Sequence, residues 1–160
     1  MIYNPGESNS IVSIQLLKSK IPFGINLVEA PASRTSEVSS AAQSLVGRVD
    51  AIYVPNDNTV VSAMESVAQV SIRNSLPLFA ADIGSVQQGA IAAVGYNRHA
   101  LGKKAGELGV RVLRGESPEQ IPVLYEHSEE VLINKKSASQ MGVKLPLQLP
   151  KNVRWVGRDL

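Results

Sequence analysis

Val49–Val67 reads VDAIYVPNDNTVVSAMESV, and this stretch decides the fold. An apolar run from Asp50 to Pro55 stops at Asn56-Asp57-Asn58-Thr59, side chains that cap helices, and helix-spaced apolar residues continue to about Asn74. A continuous apolar run suits a strand buried on both faces, so this is a βα unit of a parallel sheet. The same grammar occurs twice more, in Tyr3-Asn4-Pro5-Gly6-Glu7-Ser8-Asn9 and Phe79-Ala80-Ala81-Asp82-Ile83-Gly84-Ser85. In open parallel sheets the carboxyl ends of the strands share one edge, where polar side chains converge on a crevice. The pattern therefore points to a small polar ligand held by amide and carboxylate groups.

Working outward, Ser8 is expected to cap a helix running to about Lys20, with Ile11, Ile14, Leu16 and Leu17 on one apolar face. Pro22 and Gly24 break it, Ile25 to Ala30 reads as a strand, and Arg34-Thr35-Ser36-Glu37 leads into a helix ending near Gly47. Leu76 to Ala81 is the next strand, Gly84 to Gln88 one helical turn, Ala90 to Gly95 a strand, and Arg98 to Arg114 a helix closed by Gly115. Beyond it come an extended segment from Ile121 to Glu126, a strand from Glu129 to Ile133, a helix from Lys135 to Met141 closed by Gly142, and a Pro-rich tail expected to wrap the surface. Met1 to Tyr3 is short of the ~5 or 6 residues of a typical strand, so more of that strand is expected upstream. The class is α/β, a three-layer sandwich with a mostly parallel sheet.

Composition narrows the function. The chain has 160 residues, one domain's length, and is 44% hydrophobic but only 4% aromatic, which suits β-branched strands under Ala-rich helices. Sixteen Lys and Arg against fourteen Asp and Glu are dispersed, so no nucleic-acid footprint follows. With no Cys and two separated His, the chain offers no thiolate nucleophile and no metal centre, and no cofactor is expected. No run approaches the ~18 apolar residues of a membrane span, and no basic and apolar leader follows Met1. As written, the chain is expected to remain cytoplasmic.

The order of motifs carries a resemblance. YNPGESNS (3–10), VDAIYVPNDNTVVSAMESV (49–67), PLFAADIGSVQQGAIAAVGYN (77–97), LGKKAGELGVRVLRGESPEQIPV (101–123) and VLINKKSASQMGVKLP (131–146) together resemble the carboxyl-terminal half of bacterial ABC-transporter substrate-binding proteins, in the subgroup for tryptophan or tyrosine uptake. The resemblance implies one lobe of a Rossmann-like periplasmic binding protein type I fold: residues 1–97 as the ligand-binding lobe, 98–126 as a crossover that packs on an amino-terminal lobe, and 127–160 as return strand, helix and tail. It also implies an extracytoplasmic parent, periplasmic or lipid-anchored, that hands a small solute, an amino acid in the first instance, to an ABC permease.

By the same resemblance Asn56 faces the cleft, while Asp57 and Asn58 either cap the helix or touch ligand. Asp82, alone after an apolar strand, can accept from an α-ammonium group or cap the turn at Gly84-Ser85. Ser8 and Asn9 open a helix whose free N–H groups favour a carboxylate, although capping alone also explains them. Asn97 stands where many relatives carry Asp and related sugar binders an amide. Tyr96 either stacks on an aromatic ligand or seals the hinge. A crossover face at Leu101, Ala105, Leu108, Val112 and Leu113 predicts exposed apolar area or association with another copy.

The rival functions have weaker support. His99 and His127 read as surface residues rather than bases, and there is no Gly-x-Ser-x-Gly elbow. Gly102-Lys103-Lys104 lacks the glycine loop and Ser/Thr of a P-loop, so an enzyme is not expected. A ligand-sensing regulator of the same fold would need a helix-turn-helix, which is missing. A folded remnant of a split gene, unable to close on a ligand, is the remaining alternative.

Overall fold

Strands in this chain stop where the polar clusters begin. The computed structural model describes residues 1–125, 129–150 and 152–156. In chain order come β1 (Ile2–Tyr3), α1 (Ser8–Lys20), β2 (Ala30–Pro31), α2 (Val38–Leu45), β3 (Ile52–Val54), α3 (Asn58–Val61), α4 (Met64–Arg73) and β4 (Leu78–Ala80). There follow α5 (Gly84–Gln87), β5 (Ala92–Tyr96), α6 (Arg98–Leu113), β6 (Glu129–Asn134), α7 (Lys135–Gln140) and β7 (Val153–Val156).

Strands β3-β4-β5-β6-β7 form one sheet in that order, parallel except for the antiparallel β5–β6 pair. Strands β1 and β2 form a separate parallel pair, with β1 lying beside β3. The sheet reads with period two: Ile52, Val54, Leu78, Ala80 and Ala93 are buried, while their neighbours Tyr53, Phe79 and Ala92 are half-buried. The buried face joins Val38, Ala42 and Leu45 of α2 with Val60, Met64 and Val67 of the α3–α4 region in one core. Each large apolar side chain buried there contributes roughly 1.5–3 kcal/mol.

Several expectations are corrected. Of Ile25 to Ala30 only Ala30 enters a ladder, because β1 offers just two residues to pair with. The helix after Asp57 breaks at Ser62-Ala63, where Ser62 Oγ donates to the Asn58 carbonyl (2.7 Å) and Ala63 leaves helical geometry. Ser8 does not cap α1: Glu7 holds the N-cap position. Leu16 is 60% exposed rather than on the buried face. Residues 122–125 form no ladder, and Glu126 and His127 lie outside the described residues.

The tail does not merely wrap the surface. Val153–Val156 is the edge strand β7, in register with Val131–Asn134, and the Lys135 ammonium lies 4.3 Å from the centre of the Trp155 ring on that edge. Helix α6 buries none of its residues; of the expected apolar crossover face Ala105, Val112 and Leu113 are exposed and Leu101 and Leu108 are half-buried, while Val110, outside that face, is also exposed.

Candidate functional site

Asp57 knots the strand ends together. It is 1% exposed; its Oδ2 accepts from the Asn4 backbone N–H (2.6 Å) and the Ser10 hydroxyl (2.6 Å), and its Oδ1 caps α3 by accepting from the Val60 N–H (2.9 Å). Nearby, the Glu7 carboxylate reaches across to the start of α3. It accepts from the Asn58 N–H and side-chain amide (2.9 Å each) and from the Thr59 N–H (3.0 Å) and hydroxyl (2.8 Å). These two carboxylates lock the loop after β1 onto the loop after β3, and Asn9 Nδ2 then donates to the Asn56 carbonyl (2.5 Å).

The lock has a pH signature. Burial pushes the Glu7 carboxyl up, but the four hydrogen bonds from Asn58 and Thr59 outweigh it and hold the group down at about 2, against an ordinary 4.5. A depressed folded-state value means that Glu7 stabilises the fold fully above about 4.5, and that this contribution disappears as the pH falls through about 2. Glu7→Gln should therefore lower the melting temperature at neutral pH, with the two chains converging near pH 2. Thermal melts across that range check it.

The polar ends converge on a cleft of about 480 Å³ at the carboxyl edge of the sheet. Asn9, Asn56, Asp57 and Asp82 line it, together with Asn58, Tyr96, Arg98 and Glu129. Ser8 and Asn97 are not among its lining residues. Asn97 caps α6 by accepting from the Ala100 N–H (2.9 Å) and donates to Glu130 Oε1 (2.5 Å), while Glu130 Oε2 accepts from Arg154 (3.0 Å). A larger hollow of about 650 Å³ lies at the amino ends of the strands, where Met1, Val28, Val49 and Tyr53 give it a mainly apolar wall, with Lys20, Asn26, Arg48 and Asp50 as its polar members.

Asp82 is nearly buried in the cleft wall. Its Oδ2 accepts from the Ser85 N–H (3.1 Å) and hydroxyl (3.4 Å), and its Oδ1 is paired with the guanidinium of Arg98. The sequence reading passed over Arg98. The available signal was its position: a cation directly after the strand end Tyr96-Asn97, on the edge where the other polar groups gather.

The chain is thus a mostly parallel α/β lobe with a polar cleft at its strand ends and an uncovered helix beside it. The chain belongs to the ABC transporter substrate-binding protein family, whose model matches residues 1–154. It is 39% identical over 161 aligned positions to the tyrosine-binding protein of Clostridioides difficile, covering 99% of this chain and 46% of that protein. A conserved domain protein from Vibrio cholerae superposes with a TM-score of 0.83 at 35% identity, over 91% of this chain and 50% of the other. The ABC domain from Streptococcus pneumoniae in complex with L-Trp superposes at 0.85 with 28% identity, over 96% and 52%. The chain thus spans about half the length of the relatives it matches.

Proposed function

We propose that the chain forms one wall of an amino-acid-binding cleft in the substrate-binding component of an ABC import system, with an aromatic amino acid as the solute. The observation that carries this reading is the meeting of Asp82, Arg98, the Asn9 and Asn56 amides and the half-exposed ring of Tyr96 in one cleft. Charged groups of both signs beside a ring suit a zwitterion with an aromatic side chain better than a neutral sugar. The tyrosine and tryptophan named for its relatives favour the same class.

In this reading the opposing wall comes from a second lobe that closes by a hinge, and the closed form is what a membrane permease recognises outside the cytoplasm. Helix α6, with Val112 and Leu113 exposed, is the surface that the second lobe covers. A second copy of the chain is the alternative occupant of that face. Among the described residues no helix is long and apolar enough to cross a membrane.

Thermal shift tests the reading, because a ligand that binds only the folded state raises the melting temperature with concentration. L-Tyrosine or L-tryptophan should raise it while ribose leaves it unchanged; a rise with ribose alone would reject the amino-acid assignment. Gly84 supplies a finer probe. A Cβ there would lie 2.9 Å from Asp82 Oδ2, and the flexible carboxylate would yield by moving off Ser85 and Arg98. Gly84→Ala should change stability by less than about 1 kcal/mol yet weaken tyrosine binding several-fold, measured by parallel melts and titrations.

A further inference from the structure

We infer that Arg98 is the carboxylate anchor of the cleft, so that the solute is read as an α-amino-acid zwitterion across the Arg98–Asp82 couple. The inference rests on the proposed solute-binding function and adds the group that recognises the anionic end of the solute.

The charged residues lining the cleft are Asp57, Asp82, Arg98 and Glu129. Asp57 is 1% exposed and committed to Asn4, Ser10 and Val60, so it belongs to the fold. Asp82 spends Oδ2 on Ser85 and gives Oδ1 to Arg98. Arg98 is different. A guanidinium carries five N–H donors; among the described residues Asp82 is its only partner, and 77% of its side chain is exposed.

Stability does not account for such a group, because a largely solvated ion pair contributes little. Pre-organisation does. A guanidinium already held by a nearly buried carboxylate loses less freedom when it takes a second carboxylate, and its planar fork fits one with two parallel hydrogen bonds. The chain delivers it there because Arg98 opens α6 directly after Tyr96 and Asn97, at the mouth that Asp82 and Tyr96 share. The positive end of the solute is left to the remaining lone pair of Asp82 Oδ1 and to the exposed Glu129 carboxylate. The role expected of Asp82 changes accordingly: it positions Arg98 first and meets the ammonium second.

The test varies the ligand on the unaltered chain, so folding cannot confound it. With ¹⁵N-labelled protein, the Arg98 Nε–H and the Gly95 and Tyr96 amides are followed while L-tyrosine, tyramine and 3-(4-hydroxyphenyl)propionate are added to millimolar concentration. Tyrosine and the propionate should shift the Arg98 resonance, and tyramine, which lacks the carboxylate, should bind roughly tenfold or more weakly than tyrosine. Arg98→Lys, which keeps the partner charge for Asp82 but not the fork, should lose much of the preference for tyrosine over tyramine. Tyrosine and tyramine perturbing the cleft alike would overturn the Arg98 assignment and leave the solute-binding reading standing. Silence of the cleft toward all three would overturn both.

Discussion

Asp57→Ala should lower the unfolding free energy by about 3 kcal/mol, among the largest losses for any single polar side chain in the described structure. The N-cap of α3 disappears, which alone costs about 1 kcal/mol, and the Ser10 hydroxyl and Asn4 N–H lose an ionised acceptor, each a loss of about 1 to 3 kcal/mol. Ser10 is fully buried, so water cannot replace the lost partner freely. Relief of a buried charge offsets part of this sum. Urea unfolding reads the effect as a fall in midpoint at unchanged slope. Asp57→Asn, which keeps one acceptor oxygen, should fall between the two. A loss below about 1 kcal/mol for Asp57→Ala would mean that the first and third strand ends are held by something other than this carboxylate.

Gly89→Ala should cost roughly 2 to 4 kcal/mol for two separable reasons. Gly89 has φ +116°, where an L side chain is strained, and a Cβ there would lie 2.6 Å from the Cβ of Ala68 on α4. Ala68→Gly alone should lose about 1 kcal/mol as a helix-interior glycine. Combined with Gly89→Ala, it removes the clash and leaves the backbone strain. The double variant should therefore be clearly more stable than the sum of the single losses predicts. Strict additivity in the urea midpoints would show that the contact between α4 and the turn after α5 is not the constraint.

The sequence made the central strands legible because their message is redundant. Every residue after Asp50 up to Pro55 is apolar, the cap residues stand at the right place, and β3 with Asp57 as N-cap followed. Gly47, Gly115 and Gly142 close or follow their helices at positive φ, another local signal that needs no tertiary context. What was not legible depends on partners distant in sequence. Val153–Val156 is a strand only because β6 has an open edge to receive it, and nothing in Val-Arg-Trp-Val after two prolines announces that. The failure of Ile25 to Ala30 has the same cause, since pairing is limited by the two residues of β1.

The cleft divides in the same way. Asn9, Asn56, Asp57 and Asp82 line the cleft to which the polar clusters after apolar runs pointed. Their division of labour was not legible: Asp57 and Glu7 turn out to brace the two loops, and Asp82 is coupled to a residue 16 positions away. Asn97 likewise spends its amide on Ala100 and Glu130 rather than lining the cleft. Side chains of one type serve as caps, braces or binding groups according to which donors the fold brings within reach.

Isothermal titration of the chain with L-tyrosine, L-tryptophan, L-leucine and ribose tests the central claim most directly, with Asp82→Ala run in parallel. The account predicts saturable one-site heat with an aromatic amino acid, none with ribose, and loss of the signal in Asp82→Ala. Saturable binding that survives Asp82→Ala unchanged, or binding of ribose in preference to every amino acid, would contradict it.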